Sequence, residues 1–340
     1  MATLLFARSW DRGDAMLNSV DTNDLSAHIA STTQKKTGAY SLRCGGDDGR
    51  WARWRLPGDP NNPSVSLWVH PGHLDLFNSD GNGINGLNFR LRLGTGEYID
   101  LRWKASTHTF DPWVDGGLVS SGTIEVAAFD WFHVQWYVVI DNAGSIGVKI
   151  NGHQSIDYSG DTQPGAATGA DYFYAWGGLS GSRYFYIDDF VGGYGGFLGA
   201  LNCYEMVPNG DTGRTDWTPL GASDNYEMID ETPASDADYN KSDADGEKDV
   251  LELSDVDYAT LERSPVALFP WVRAKMEEGT GDSIKVGLDS NGTEGLTEHA
   301  LSAAYQYYWH VAIEDPDAGG KPWEAASANA AELVYESVIT

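Results

Sequence analysis

Carboxylates come first among the residues that could do chemistry, because two of them flanking a sugar can cleave a glycosidic bond. Residues 1–195 hold only two glutamates, Glu97 and Glu125, and no close Glu-x-Asp-x-x-Glu spacing. Asp188 and Asp189 are adjacent; on a strand, neighbouring side chains point to opposite faces, so the two are not expected to act together. Gly81-Asn-Gly-Ile-Asn-Gly86 fits the dinucleotide fingerprint letter for letter. That fingerprint needs a following helix to aim its N-terminus at a pyrophosphate. Here the strand-like Leu87–Leu93 follows, so a turn is expected. Asp236, Asp238, Asn240 and Glu247 fall at positions 1, 3, 5 and 12 of a calcium loop, but position 6, where the turn wants glycine, is Lys241. With no flanking helix, Asp236–Asp249 reads as an acidic loop. The eight histidines show no metal-ligand spacing, and His133, between Trp131 and Gln135, reads as a packed residue. Trp51, Trp54, Trp103, Trp113 and Trp176 offer rings for sugar stacking, and core packing accounts for them equally well. No catalytic, cofactor-binding or metal-ligating residue is assigned on these grounds, and the expectation is a protein that is not an enzyme and carries no cofactor.

Strands must position whatever site exists. The organising stretch is Phe129–Gly152, in which Phe132, Val134, Trp136, Val138 and Ile140 alternate with His133, Gln135, Tyr137, Val139 and Asp141. Period-2 alternation predicts a strand with one dry face and one mixed face. Asp141-Asn-Ala-Gly144 supplies a turn, and Ile146, Val148 and Ile150 restore the dry face on the way back. So apolar a hairpin must lie against a second sheet. Further strands are expected at Thr37–Arg43, Arg50–Leu56, Ser64–Val69, Leu87–Leu93, Glu97–Lys104, Tyr172–Trp176 and Tyr184–Val191. Gly192-Gly-Tyr-Gly-Gly196 reads as a flexible boundary. Beyond it, Lys248–Leu253, Val266–Met276, Ser283–Leu288, Tyr305–Ile313 and Glu332–Val338 read as strands, with Tyr305, Tyr307, Trp309, Val311 and Ile313 on one face. Trp323–Ala331 reads as a short helical turn. The expected fold class is all-β, with domains 1–195 and 196–340.

Composition agrees. The 340 residues include Gly 40, Trp 13, Tyr 17 and Phe 11, the accent of turn-rich β folds. Net charge is −28, unevenly spread: residues 1–197 carry 14 Lys+Arg against 21 Asp+Glu, residues 198–340 carry 8 against 29. Such a surface repels phosphate backbones and anionic lipid, so neither direct nucleic-acid binding nor membrane insertion is expected. No window reaches the ~18 uncharged apolar residues of a membrane helix, and charges at Arg8, Asp11, Arg12 and Asp14 argue against a signal peptide at Met1–Met16. Cys44 and Cys203 are too few for a disulfide framework and read as buried thiols of a chain made in a reducing cytoplasm.

Two resemblances add to this. Thr37-Gly-Ala-Tyr-Ser-Leu-Arg43, Asp130-Trp-Phe-His-Val134, Val148-Lys-Ile-Asn-Gly152 and Tyr186-Ile-Asp-Asp-Phe190 occur in the order found in concanavalin A-like or laminin G-like jelly rolls, which residues 5–191 resemble. The second part, about residues 200–340, resembles a C-terminal module recurrent in structural proteins of tailed bacteriophages. Its carriers are Asn225-Tyr-Glu-Met-Ile-Asp-Glu-Thr-Pro233, Asp238-Tyr239, Lys248-Asp-Val-Leu-Glu-Leu253, Val272-Arg-Ala-Lys275, Asp315-Pro-Asp-Ala-Gly319 and Trp323 before Ala328-Asn-Ala-Ala-Glu332; Ala331-Glu-Leu-Val-Tyr335 is more apolar than the usual ending. The fold implied is a concanavalin A-like jelly roll followed by a smaller immunoglobulin-like β-sandwich. The function implied is that of an exposed virion component: capsid decoration, head fibre or tail fibre, made in the host cytoplasm. Its expected partners are other virion proteins, further copies of itself (a trimer by analogy) and a host-surface glycan. A lectin-like module and a polysaccharide hydrolase are the competing readings.

Overall fold

The computed structural model describes residues 3–8, 21–22, 29–36, 41–45, 51–56, 60–72, 86–127, 129–176, 184–204, 206–230, 237–258, 265–277, 281–319 and 321–340. The chain forms two compact units, Met1–Tyr204 and Glu205–Thr340, and both are built of antiparallel strands. Thr37–Tyr40, Gly81–Asn85 and Asp236, singled out above, lie outside the described residues.

The first unit contains β1 (Thr3–Arg8), β2 (Asp21–Thr22), β3 (Ile29–Ser31), β4 (Ser41–Gly45) and β5 (Trp51–Arg55). Next come β6 (Pro63–Pro71), β7 (Asn88–Leu93), β8 (Tyr98–Lys104), β9 (Thr109–Val114) and β10 (Gly117–Leu118). The last are β11 (Phe132–Val139), β12 (Gly144–Ile150), β13 (His153–Gly160), β14 (Ala170–Trp176) and β15 (Tyr184–Tyr194). One sheet has the order β13-β12-β11-β6-β15-β4-β3, with β1 also on β15; the other runs β10-β9-β8-β7-β14-β5-β2. This is a jelly-roll sandwich. The hairpin reading holds: β11 pairs with β12, Val134 opposite Ile150, Trp136 opposite Val148 and Val138 opposite Ile146. These residues are buried against the dry face of the second sheet, made by Phe89, Leu91, Leu101, Trp103, Phe110 and Phe173. Rings bridge the two layers: Phe110 to Phe132 at 5.9 Å, Trp136 to Phe173 at 6.4 Å, Trp54 to Phe190 at 4.5 Å. Each such side chain contributes about 1.5–3 kcal/mol by leaving water.

Three expectations for this unit are corrected. Gly192 and Gly193 are not a linker; they pair with Val65 and Ser64 on β6 and with Phe6 and Leu4 on β1. The chain then stays on the first unit: Gly195 N–H donates to Asn62 O, Gly199 N–H to Gln135 Oε1, and Cys203 N–H to Asp189 Oδ1. Segment 196–204 therefore lies on the first sheet's outer face, which buries the nominally mixed residues His133 and Gln135 and leaves Cys203, unlike Cys44, only half-buried. The alternation argument for Asp188 and Asp189 fails as well. The register slips between Asp188 opposite Trp68 and Val191 opposite Ser66, so Asp189 and Phe190 share one partner position, and Asp189 turns left-handed at φ 47°. Both carboxylates become backbone acceptors, Asp188 for Lys36 N–H and Asp189 for Cys203 N–H.

The second unit contains β16 (Pro208–Thr215), β17 (Thr218–Leu220), β18 (Tyr239–Lys241), β19 (Lys248–Leu253) and β20 (Trp271–Ala274). β21 (Ser283–Ser290), β22 (Thr293–Ala300), β23 (Gln306–Trp309), the one-turn helix α1 (Ala325–Asn329) and β24 (Glu332–Val338) complete it. A five-stranded sheet runs β16-β19-β24-β21-β22, with ribbons β17–β18 and β20–β23. Leu251, Val272, Ile284, Val286, Tyr308, Leu333 and Tyr335 form its core, so the β20–β23 ribbon closes a small sandwich over the sheet. The core residue of β23 is Tyr308, and the strand ends at Trp309, short of the expected Ile313. Tyr305, Tyr307 and Trp309 lie on the opposite side, where Arg273 stands 4.5 Å from the Tyr305 ring and 5.9 Å from the Tyr307 ring. Alternation defines two faces but does not say which one meets a sheet. The expected strand 266–276 shrinks to Trp271–Ala274, and β18 interrupts the expected acidic loop. Among the described residues, no helix is long and apolar enough to cross a membrane.

Candidate functional site

The second sheet of the first unit turns one face to the core and the other away from it. On the outer face, strand register sets the neighbours. One row reads Arg55, Tyr172, Arg92, Tyr98 across β5, β14, β7 and β8. The next reads Asp21, Arg53, Tyr174, Arg90, Asp100, Trp113 and Leu118, from β2 to β10. A third carries Asn88, Arg102 and Asp111. Guanidinium groups thus alternate with rings, and they stack on them: Arg90 on Tyr98 at 3.6 Å, Arg53 and Arg92 on Tyr172 at 4.5 and 4.8 Å, Arg102 on Trp113 at 4.5 Å. Such pairs fix both partners in place.

Carboxylates complete the lattice from below. Asp100 is fully buried and accepts from Arg90 Nε and Nη2 at 2.5 and 2.9 Å and from Arg102 Nε and Nη2 at 2.9 and 2.7 Å. Asp171, at a bulge in β14, takes the Arg92 guanidinium side-on. Asp111 accepts from Gly122 N–H at 2.9 Å and lies 3.8 Å from Lys104 Nζ. Asp100 and Asp111 are diagonal neighbours across β8 and β9, residue positions roughly 7–8 Å apart. A pair of carboxyl groups flanking a sugar would have to be open to it, but two guanidinium groups close off Asp100 and Asp111 is 4% exposed. Neither presents a carboxyl group to an open position. Of the two glutamates, Glu97 is at the β7–β8 turn and Glu125 on the exposed segment after β10. The Thr95 side chain and the Glu97 backbone hold the Glu97 carboxyl below its usual range, the wrong direction for a general acid.

The outer face of the first sheet brings together a pair that sequence spacing gave no reason to connect. His133 Nε2 lies 2.7 Å from Ser66 Oγ. Ser66 Oγ donates its single proton to Gly199 O at 2.8 Å, so the imidazole must donate from Nε2. Burial, and after it the Lys36 ammonium, pushes His133 down to about 4. The ring is a neutral donor whose remaining lone pair, on Nδ1, is buried without a hydrogen-bond partner. It cannot take the serine proton, and this is no nucleophile–base pair.

In the second unit the motif residues converge on a buried polar node. Asp249 accepts from Tyr335 Oη at 2.6 Å, Asn225 Nδ2 at 2.7 Å and Trp217 N–H at 2.9 Å. Asn240 Nδ2 donates to Asn225 O and Tyr335 Oη at 2.8 and 2.7 Å. Burial raises Asp249 above the usual carboxylate range. Asn240, a supposed calcium ligand, points its donor into this node, and Glu247 accepts from Ser242 Oγ. No group of three or more acidic, histidine or cysteine side chains suited to a metal occurs among the described residues.

Of the five tryptophans, Trp54 and Trp103 belong to the core, Trp113 joins the outer lattice, and Trp51 and Trp176 stand opposite each other in the β5–β14 register. Sequence reading missed the arginines. The signal was there: Arg53, Arg55, Arg90, Arg92 and Arg102 alternate with apolar residues inside strands, where a merely solvated face would be more mixed.

No known protein family matches this sequence, and no curated protein matches it either. Among solved structures the chain is similar to the cellulose induced protein Cip1, at 11% identity and TM-score 0.43, over 59% of this chain and 100% of that one. It is similar to Domain 4 of an extracellular arabinanase from Geobacillus stearothermophilus, in complex with arabinotriose, at 20% identity and TM-score 0.41, over 58% and 95%. It is also similar to a carbohydrate esterase from the Shiga toxin-encoding bacteriophage phi24B, at 9% identity and TM-score 0.41, over 58% and 100%. Likeness at this level assigns neither ligand nor activity.

Proposed function

We propose that the chain is a non-enzymatic glycan-binding protein whose ligand lies across the outer face of the second sheet of the first unit. The observation that supports this is the lattice itself: Tyr98, Trp113 and Tyr172, each half-buried, with guanidinium donors held beside them. Rings stack on sugar faces and fixed donors read hydroxyl and acidic substituents. The carboxylates there serve the arginines, which favours binding over cleavage. A glycan array probed with the full chain tests the reading. Binding is expected, weakened about tenfold in Trp113→Ala through loss of the stacking ring, with thermal unfolding little changed. An array on which the full chain binds nothing would refute it.

The same reading puts the chain on the exterior of a tailed-phage virion as a capsid decoration, head-fibre or tail-fibre component. The acidic second unit would meet other virion proteins, and several copies, a trimer by analogy, would add avidity. Its support is the set of second-unit motifs. The structure gives those motifs a folding role, since Asn225, Lys248, Asp249 and Tyr335 build the unit's interior polar contacts. Mass spectrometry of purified particles tests the location, and absence of the chain from them would remove it.

A further inference from the structure

The cations on the outer face of the second sheet are already engaged within the chain. Arg90 and Arg102 share Asp100, and Arg92 holds Asp171, each through Nε and Nη2. Lys104 Nζ lies 3.8 Å from Asp111, and Asp21 stands opposite Arg53 in the β2–β5 register. An anion arriving at Arg90, Arg92 or Arg102 meets a guanidinium that has its carboxylate, and that carboxylate repels it. The chain as a whole carries a net charge of −28, which also turns polyanions away. What the pairs leave over is hydrogen-bonding capacity. Side-on pairing keeps Nη1 of Arg92 and of Arg102 outside the pair, with its hydrogens, and the Arg92 side chain is 38% exposed.

We propose that this face selects an uncharged sugar chain, laid across the strands over Tyr172 and Tyr98, and discriminates against acidic ones; this rests on the glycan-binding reading above. Three observations carry it. The first is the pairing just described, which leaves donors without a demand for an anion. A sugar hydroxyl accepts from such a donor and donates in turn, so it completes the face without bringing a charge into it. The second is the spacing of the rings. Tyr172 and Tyr98 are both half-buried and stand in one row, on β14 and β8, with β7 between them. Two strand spacings put them about 10 Å apart. One sugar ring cannot stack on both, whereas linked sugars can. The third is what stands between the rings. Arg92 occupies the β7 position of that row, is held by Asp171 and stacks 4.8 Å from the Tyr172 ring. A chain crossing from one ring to the other passes over a donor that is fixed in place.

Calorimetric titration of the full chain tests this, with neutral glucan, mannan and xylan sugars from monosaccharide to hexasaccharide and with polyuronates beside their methyl esters. Esterification keeps the sugar rings and removes the charge. Binding is expected to at least one neutral series, on this panel or on the array, and no polyuronate should bind more tightly than its own ester. Affinity should rise about tenfold from monosaccharide to tetrasaccharide as the second ring is reached. It should change less than about threefold between about 0.1 M and about 1 M salt, although the screening length falls from about 10 Å to about 3 Å. Tyr98→Ala should weaken tetrasaccharide binding about tenfold, with thermal unfolding little changed. A polyuronate bound more tightly than its ester, a larger loss with salt, or binding to acidic array glycans alone overturns the selectivity and leaves the glycan reading standing. Equal affinity for monosaccharide and tetrasaccharide overturns the placement across two rings. Failure to bind any sugar on the panel or the array removes both readings.

Discussion

Lowering the pH from about 7.5 to about 5 should destabilise the first unit by about 2 kcal/mol through His133 alone. The ring is 1% exposed and sits at about 4 because of burial and, second, Lys36, whereas an unfolded chain returns it to about 6.5. The folded value is the lower one, so the unfolded chain takes up the proton first. The contribution is complete above about pH 6.5, falls as pH drops toward 4, and levels off below. The full difference, about 2.5 pKa units, corresponds to about 3.4 kcal/mol, of which about 2 kcal/mol is gone at about pH 5. Urea unfolding of the wild type and of His133→Gln at both pH values isolates the effect, since the glutamine amide can still donate to Ser66 Oγ and does not titrate. The wild type should lose about 2 kcal/mol more than the variant, and the His133 ring protons should titrate near 4 by NMR. Equal losses, or a midpoint near 6.5, would refute the buried neutral ring, and with it the argument that Ser66 has no base.

Other expectations follow from particular contacts. Asp100→Ala leaves Arg90 and Arg102 without their shared buried acceptor and should cost about 3 kcal/mol in chemical denaturation, besides weakening glycan binding. Tyr335→Phe removes the 2.6 Å donor to buried Asp249; a loss of about 2 kcal/mol is expected, with the transition of the second unit moving and that of the first not. Gly287→Ala would set a Cβ 1.9 Å from Gly295 O on the paired strand, a backbone clash that should destabilise the second unit by about 2 kcal/mol or more in thermal unfolding. Conversely, Gly94→Ala, with nothing within 4 Å of the added carbon, should change the melting temperature little.

The strands were legible because burial on one face leaves a period of two, and that period survives in Phe132–Ile140 and Leu87–Leu93 whatever the partners are. The turn after Leu93 was legible because Gly96 takes a left-handed backbone, φ 100°, that few residues tolerate, and the one after Ile140 because Asp141-Asn-Ala-Gly144 is rich in turn formers. Alternation failed where geometry is not local. Asp189 departs from it because a bulge adds one residue opposite Leu67, and the alternation of Tyr305–Trp309 did not tell which face is buried, which the ribbon's packing decides in favour of Tyr308. Gly192 and Gly193 looked like a linker since composition cannot show that β1 and β6 pair with them.

By itself the sequence determined that this is an all-β chain with an acidic second half and no compact catalytic or metal motif, because propensity, periodicity and charge are local properties of the chain. Only the tertiary structure decided the site. Arg55, Tyr172, Arg92 and Tyr98 are spread over more than a hundred positions counted in numbering, 55 to 172, and become one row solely because β5, β14, β7 and β8 are hydrogen-bonded neighbours. The same holds for Ser66 and His133. Strand pairing puts distant residues about 5 Å apart, and no spacing along the chain records which strands will pair.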